Sequence, residues 1–333
     1  MDHFGSLKKA WTITWRYKSL WVLGLFAGAG STGSGGGGSW PTGDDEFSPG
    51  AGRQIEAWLT DNMVLVVVLA GFLVVLALLF WVLSLAAQGG LVWGANEAAE
   101  TRKPAIRTAW GVGFNRWGRT FMINFVLGIP MLVLGLIIAA VVIAAGVGGF
   151  LIGDEAGGLA AIGGLCLALP IIIVLVVAVS VVIGIVSPLA LRYGVLHDIT
   201  FGEAIRRGWL DLWGKRGAFV FWLVMLLPGI AAGIIMVLLM LPFLIPAIVM
   251  FAGERFAMAT GVLLLGGLLM LLPTAIYGTF ASSAWTVFFR TMTGMDAPSV
   301  DTAVQYAPSP PPAGPAAPAA QALSAEEAPP TDE

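Results

Sequence analysis

Five stretches of the chain, 62–96, 120–153, 156–191, 217–253 and 256–289, contain no Asp, Glu, Lys or Arg, and each is 34 to 37 residues long. A helix rises about 1.5 Å per residue, so about 20 apolar residues cross the hydrocarbon core of a bilayer. Each stretch therefore holds one span with its interfacial turns, and none holds two. Met63 to Ala87 is an almost unbroken run of Leu, Val, Ala and Phe, whereas the strands of a membrane barrel alternate apolar and polar residues in segments of about ten. The spans are read as helices, in which every backbone N–H and C=O finds its partner within its own segment.

Composition agrees. Hydrophobic residues make up 58% of the 333 residues and charged residues only 11%, with a mean hydropathy of +0.88, where soluble domains carry roughly a quarter charged residues. The net charge of −3 arises partly from an acidic tail and gives no argument for nucleic acid. The single cysteine, Cys166, lies within a span and excludes an intrachain disulfide.

Spans are placed near 19–31, 63–87, 120–147, 158–188, 217–241 and 260–288. Lys8, Lys9, Arg16 and Lys18 precede the first; Arg102, Lys103, Arg107, Arg116 and Arg119 follow the second; Arg192, Arg206, Arg207, Lys215 and Arg216 follow the fourth; Arg290 follows the sixth. Fifteen of the 17 Lys and Arg thus fall on one side, and only Arg53 and Arg255 fall opposite. By the positive-inside rule both termini are cytoplasmic, in an inner (plasma) membrane. The first span is the short one, since only Leu20 to Gly30 precedes the polar run Ser31 to Ser39. Trp15 and Tyr17 at the interface, with Lys18 snorkelling, would lengthen it. Basic residues, a short apolar stretch and small residues around Ala27 to Gly30 also describe a cleavable signal peptide.

Three tryptophans, Trp11, Trp110 and Trp209, are spaced 99 residues apart. Their surroundings agree: Ser6-Leu-Lys-Lys-Ala-Trp11, Ala105-Ile-Arg-Thr-Ala-Trp110 and Ala204-Ile-Arg-Arg-Gly-Trp209. A second aromatic follows four residues later (Trp15, Phe114, Trp213), and Leu7, Ile106 or Ile205 precedes by four. That spacing places them on one helical face. Lys8, Lys9, Arg107, Arg206 and Arg207 fall beside it, which gives a short amphipathic helix of the kind that lies in the membrane interface. Ser6 is a candidate cap for the first copy, Pro104 suits the first turn of the second, and Thr200 with Glu203 has capping-box spacing in the third. Independent Trp and Arg anchors at one membrane border would produce a similar picture without repetition.

The fold class that follows is an all-α polytopic transmembrane bundle. Its six spans form three helical-hairpin repeats, about 6–100, 105–200 and 204–290, each introduced by a cytoplasmic interfacial amphipathic helix. All copies share one orientation, and repetition favours retention of the first span. Residues 28–52 are a flexible Gly/Ser-rich loop on the non-cytoplasmic side. From 296 onwards the Pro/Ala-rich composition, with nine prolines between Pro298 and Pro330, predicts a disordered cytoplasmic tail.

The residues that carry chemistry are few. His3 and His197 are the only histidines, and a His197–Asp198 pair without a third ligand is not a metal site but part of the turn before the third interfacial helix. No phosphate-binding loop, H-E-x-x-H or nucleophile elbow occurs, so no catalytic residue, metal or cofactor is assigned. Asn124, Ser180, Ser187, Thr260, Thr274, Tyr277, Thr279, Ser282 and Ser283 are polar within spans and suit interhelical hydrogen bonds. Pro242 and Pro246, with Thr274, Tyr277 and Ser283, are the candidate lining of a cavity between spans five and six.

The run Trp15-Arg-Tyr-Lys-Ser-Leu-Trp-Val-Leu-Gly24, with Ala-Ile-Arg-x-x-Trp after later spans, resembles the bacterial glycerophosphoryl diester phosphodiesterase membrane-domain group and related uncharacterised multi-pass membrane proteins. The likeness covers the membrane part, residues 6–290. That group's soluble catalytic domain and its metal-binding His and Glu have no counterpart here, so no hydrolase residue carries over. The leading expectation is a non-enzymatic membrane protein that organises or assembles with other membrane components. Its partners would be membrane lipids and a membrane protein or a second copy, with no nucleic acid. The alternatives are a transporter or channel-like protein for a neutral or amphiphilic solute, and a lipid-modifying enzyme that gathers Glu97, Glu100, Arg192, His197 and Asp198.

Overall fold

The computed structural model describes residues 3–31, 60, 62–152, 155–214, 216–253 and 255–295, and among them nine helices and no strand. They are α1 (His3–Arg16), α2 (Leu20–Ser31), α3 (Met63–Ala99), α4 (Ile106–Asn115), α5 (Trp117–Ile152), α6 (Glu155–Leu196), α7 (Phe201–Gly214), α8 (Arg216–Ala252) and α9 (Phe256–Thr293). The chain up to Thr293 clusters as one compact unit. Of the predicted loop, Gly28–Ser31 closes α2 and the remainder lies outside the described residues, as does the predicted tail.

Five helices, α3, α5, α6, α8 and α9, are long and apolar enough to cross a membrane. Each is longer than the roughly 20 residues that cross the hydrocarbon core: α3 runs unbroken for 37 residues, about 55 Å at the helical rise. Pro130, Pro170, Pro188, Pro228, Pro242, Pro246 and Pro273 all lie inside helices. Continuity has a physical reason, because a chain in lipid that leaves the helix exposes backbone groups that nothing can satisfy, whereas a proline forfeits only one bond. The first predicted span is different. Its described part, α2, has 12 residues and reaches about 18 Å, short of the roughly 30 Å core.

Helices pair as neighbours in sequence, the 12-residue α2 with α3, and the long helices α5 with α6 and α8 with α9. The second member of each pair, α3, α6 and α9, touches the other two. Each short helix packs on the long helix before it: α4 on α3, α7 on α6, and α1 on the last helix, α9, which closes the ring.

These contacts are made by small residues. A Cβ on Gly90 of α3 would stand 2.6 Å from the Ala109 carbonyl oxygen of α4, and one on Gly208 of α7 would stand 3.2 Å from the Val186 carbonyl oxygen of α6. On α2, a Cβ at Gly24 would collide with Thr279 Oγ1 of α9 and stand 2.5 Å from the Ala275 carbonyl oxygen. Backbones approach this closely only where a side chain is missing.

Burial is concentrated at the end of the bundle that carries the short helices. All buried residues of α3 lie from Ser84 onwards, while Met63 to Trp81 is outward-facing. One core gathers Ile185, Leu189 and Tyr193 of α6, Phe221 of α8 and Phe280, Trp285, Phe288 and Phe289 of α9 around Ala10 and Ala204. Phe221 and Phe288 stack there with ring centroids 4.2 Å apart. A second core joins Leu20 and Leu23 of α2 to Ala87 and Leu91 of α3, Ala109 of α4 and Val287 of α9. Lipid tails are as apolar as leucine, so the outer lengths gain nothing from burying one another, whereas the charged end is where packing stabilises.

Candidate functional site

One position of the 99-residue spacing, Ala10, Ala109 and Gly208, is buried on all three short helices, and the position four residues earlier is buried at Ser6 and Ala204 and exposed at Ala105. Ser6 and Ala10 of α1, Ala109 of α4 and Ala204 and Gly208 of α7 are buried, and the aromatics one residue further on face outwards or partly so. Trp11 and Trp15 have ring centroids 5.6 Å apart, Trp110 and Phe114 are 5.7 Å apart, and Trp209 and Trp213 are 6.1 Å apart. Trp11, Trp15, Phe114, Trp209 and Trp213 are all exposed. Lys8, Lys9, Arg107, Arg206 and Arg207 are exposed beside them. The predicted anchors are therefore brought together pair by pair, one pair on each short helix.

The start signals fare differently. α1 begins at His3, so Ser6 is an interior buried residue and not its cap. Pro104 stands before the α4 N-cap, Ala105. Glu203 does not close a capping box on Thr200; its carboxylate accepts from Arg206 Nε at 2.8 Å and Arg207 Nε at 2.9 Å. Those two guanidiniums hold the Glu203 carboxyl down to about 2, and Glu203 in turn raises Arg206.

His197 and Asp198 lie in the turn between α6 and α7, as read from the sequence, with Asp198 in the left-handed region at φ 55°. The Asp198 carboxylate, however, serves two arginines of the α4–α5 region. Arg119 Nη1 donates at 2.5 Å and Arg116 Nε stands at 3.5 Å. The Arg119 hydrogen bond, then the charges of Arg116 and Arg119, hold its carboxyl below the usual range. Arg116 and Arg119 also donate to the carbonyls of Val195 and Gly194, which ties the start of α5 to the end of α6. His197 packs against Tyr193 and Phe289, and burial, then the Arg207 charge, pushes its imidazole below 6.5.

Sequence reasoning missed the centre. Arg192 of α6 is buried and donates to Thr286 Oγ1 at 3.2 Å, the Pro188 carbonyl at 2.6 Å and the Ser282 carbonyl at 2.8 Å. Arg290 of α9, also buried, donates at 2.6 Å to both Asn96 Oδ1 and Glu100 Oε1 of the α3 end. Asn124 of α5, by contrast, makes the interhelical hydrogen bond expected of it, donating to Gln88 of α3 at 3.0 Å. The available signal was position: each arginine is the first charge after a charge-free run, at the boundary where a polar group turns inward.

The five residues of the enzyme reading divide among separate partners. Glu100 holds Arg290, Glu97 and Glu100 hold Arg102, and Asp198 holds Arg116 and Arg119. The cavity candidates also diverge. Thr274 Cγ2 faces Gly28 of α2, the Tyr277 hydroxyl faces Gly229 of α8, and Ser283 is fully buried. Thr274 and Ser283 are nine residues apart, about 180° around the helix. Pro242 and Pro246 lie within unbroken α8.

Comparison with known proteins gives one match. A model described as a family of unknown function (DUF7544) covers residues 12–293. The chain belongs to that family. The match agrees with the uncharacterised multi-pass part of the resemblance and carries no link to the phosphodiesterase group. No curated protein and no solved structure gives a significant match.

Proposed function

We propose that this chain is a non-enzymatic integral membrane protein that holds and organises other membrane components, its short helices and both termini on the cytoplasmic side. The observation that carries the reading is the distribution of burial. The outer lengths of α3, α5, α6, α8 and α9 present apolar faces outwards, from Val64 and Leu65 on α3 to Leu264 and Leu268 on α9, while most of the buried residues lie at the charged end. Exposed apolar faces on a packed base fit a platform for lipids and other membrane helices.

A threefold internal repeat belongs to this proposal. Its support is the shared 99-residue register of buried small residues, together with the cyclic packing in which α1 takes on α9 the place that α4 takes on α3. On this reading α2, α5 and α8 are equivalent, as are α3, α6 and α9.

Purification in native lipid, with identification of everything retained, tests the function. A stoichiometric membrane protein, second copy or ordered lipid set is expected; a stoichiometric soluble solute with no protein partner would replace the reading with transport. Topology has its own test. In a Cys166→Ser background, Gly35→Cys and Asp154→Cys are expected to label from outside, and Lys103→Cys and Arg207→Cys only after permeabilisation. Labelling of positions 103 and 154 from the same side would sink the orientation.

A further inference from the structure

Positive charge at the base is not neutralised evenly. On α7, Glu203 takes up Arg206 and Arg207. Asp198 takes up Arg116 and Arg119, and Glu97 and Glu100 take up Arg102 and Arg290. The other two short helices have no such acid. Lys8, Arg16, Lys18, Lys103 and Arg107 are exposed, and among the described residues none of them is paired with a carboxylate.

The segments that carry these cations meet around α2, whose Leu20 and Leu23 share one core with Ile13 of α1 and Ala109 of α4. Trp15 of α1 meets Trp21 of α2 at 5.5 Å, and Phe26 of α2 meets Trp110 of α4 at 5.7 Å. The same two short helices carry the exposed rings of Trp11, Trp15 and Phe114. Unneutralised cations bordered by amphipathic rings match a surface that is anionic at its phosphates and apolar just beneath. A soluble polyanion would not use the rings.

We propose that the α1–α2–α4 side of the base is a binding surface for anionic phospholipid, its phosphate taken by Arg16, Lys18, Lys103 and Arg107 and its glycerol region seated against Trp11, Trp15 and Phe114. The α7 side, with its arginines held by Glu203, has no such preference. This rests on the organiser reading and names the lipid class.

The test reconstitutes the full chain in nanodiscs of equimolar phosphatidylglycerol and phosphatidylcholine, extracts it mildly and counts retained lipids by native mass spectrometry. Wild type is expected to retain phosphatidylglycerol preferentially, less so as salt rises. The R16Q/K18Q variant is expected to lose the preference by roughly five-fold per residue. The R206Q/R207Q variant removes the same net charge and is expected to keep it. All four side chains are exposed, and an unchanged unfolding midpoint confirms that each variant is folded. Equal retention of the two lipids by wild type, or equal losses in the two variants, would overturn the proposal. A stoichiometric protein partner retained without lipid preference would leave the organiser reading standing and remove this one alone.

Discussion

Individual residues at the helix ends show where this fold accepts a cost. Thr101, between α3 and α4, sits at φ 62°, a left-handed conformation that a β-branched side chain adopts only under strain. Its hydroxyl donates to the Glu100 carbonyl at 2.6 Å, and Glu100 must be held in place because it accepts from Arg290. The strain follows from ending α3 at that carboxylate. Thr101→Gly is expected to raise stability by about 1 kcal/mol, since glycine enters this region freely. Reversible unfolding in mixed micelles measures it, and a loss of stability would show that the Thr101 hydroxyl matters more than its backbone. Asp198 adopts the same conformation at less cost, since Asp tolerates it.

At the scale of elements, the junction between α5 and α6 is secured by charge. Asp198 gathers Arg116 and Arg119, and its carboxyl titrates below its ordinary 3.8. A carboxylate depressed by folding contributes stability that is present above pH 3.8 and lost as the pH falls through the lower folded value. His197 beside it is depressed below 6.5. The folded state thus resists its protonation, and stability declines as the pH falls below 6.5 towards that lower value. Wild type is expected to weaken in two steps on acidification. Asp198→Asn, which keeps the tolerance for a left-handed backbone, is expected to lower the unfolding midpoint at pH 7 and to shrink the more acidic step, which Glu203 shares, while leaving the upper one. A midpoint unchanged from pH 7 to 3 in wild type would refute the latch.

Across the whole molecule, the ring of helices closes through α9. α1, from the start of the chain, packs on α9, from the end of the unit, and Thr279 of α9 donates to the Leu20 carbonyl of α2 at 3.2 Å. Arg290 then joins α9 to Asn96 and Glu100 at the far end of α3. Removing one partner of a buried ion pair leaves the other uncompensated, and Glu100 then keeps Arg102 at 3.4 Å and the Asn96 amide at 3.5 Å as relief. Arg290→Met is expected to cost about 3 kcal/mol and to open the α3–α9 contact. A disulfide-trapping pair across that contact would report the opening as reduced cross-linking yield. Undiminished yield would place the closure in the glycine contacts of α2.

The amino-acid sequence by itself determined that the chain is helical and which five segments form helices long and apolar enough to cross a membrane, because that capacity depends on the length and polarity of one segment at a time. Trp11, Trp110 and Trp209 were legible for the same reason, as was the turn at His197. Tertiary structure decided the rest. Only there does Asp198 find arginines some 80 positions earlier, Arg290 find Glu100, and the predicted lining of Thr274, Tyr277 and Ser283 separate towards three different surroundings. Hydropathy cannot choose among these pairings, since every outer face is equally apolar. The choice is made by the close fit of Gly24, Gly90 and Gly208 and by buried polar bonds, which exist only once helices distant in the chain lie side by side.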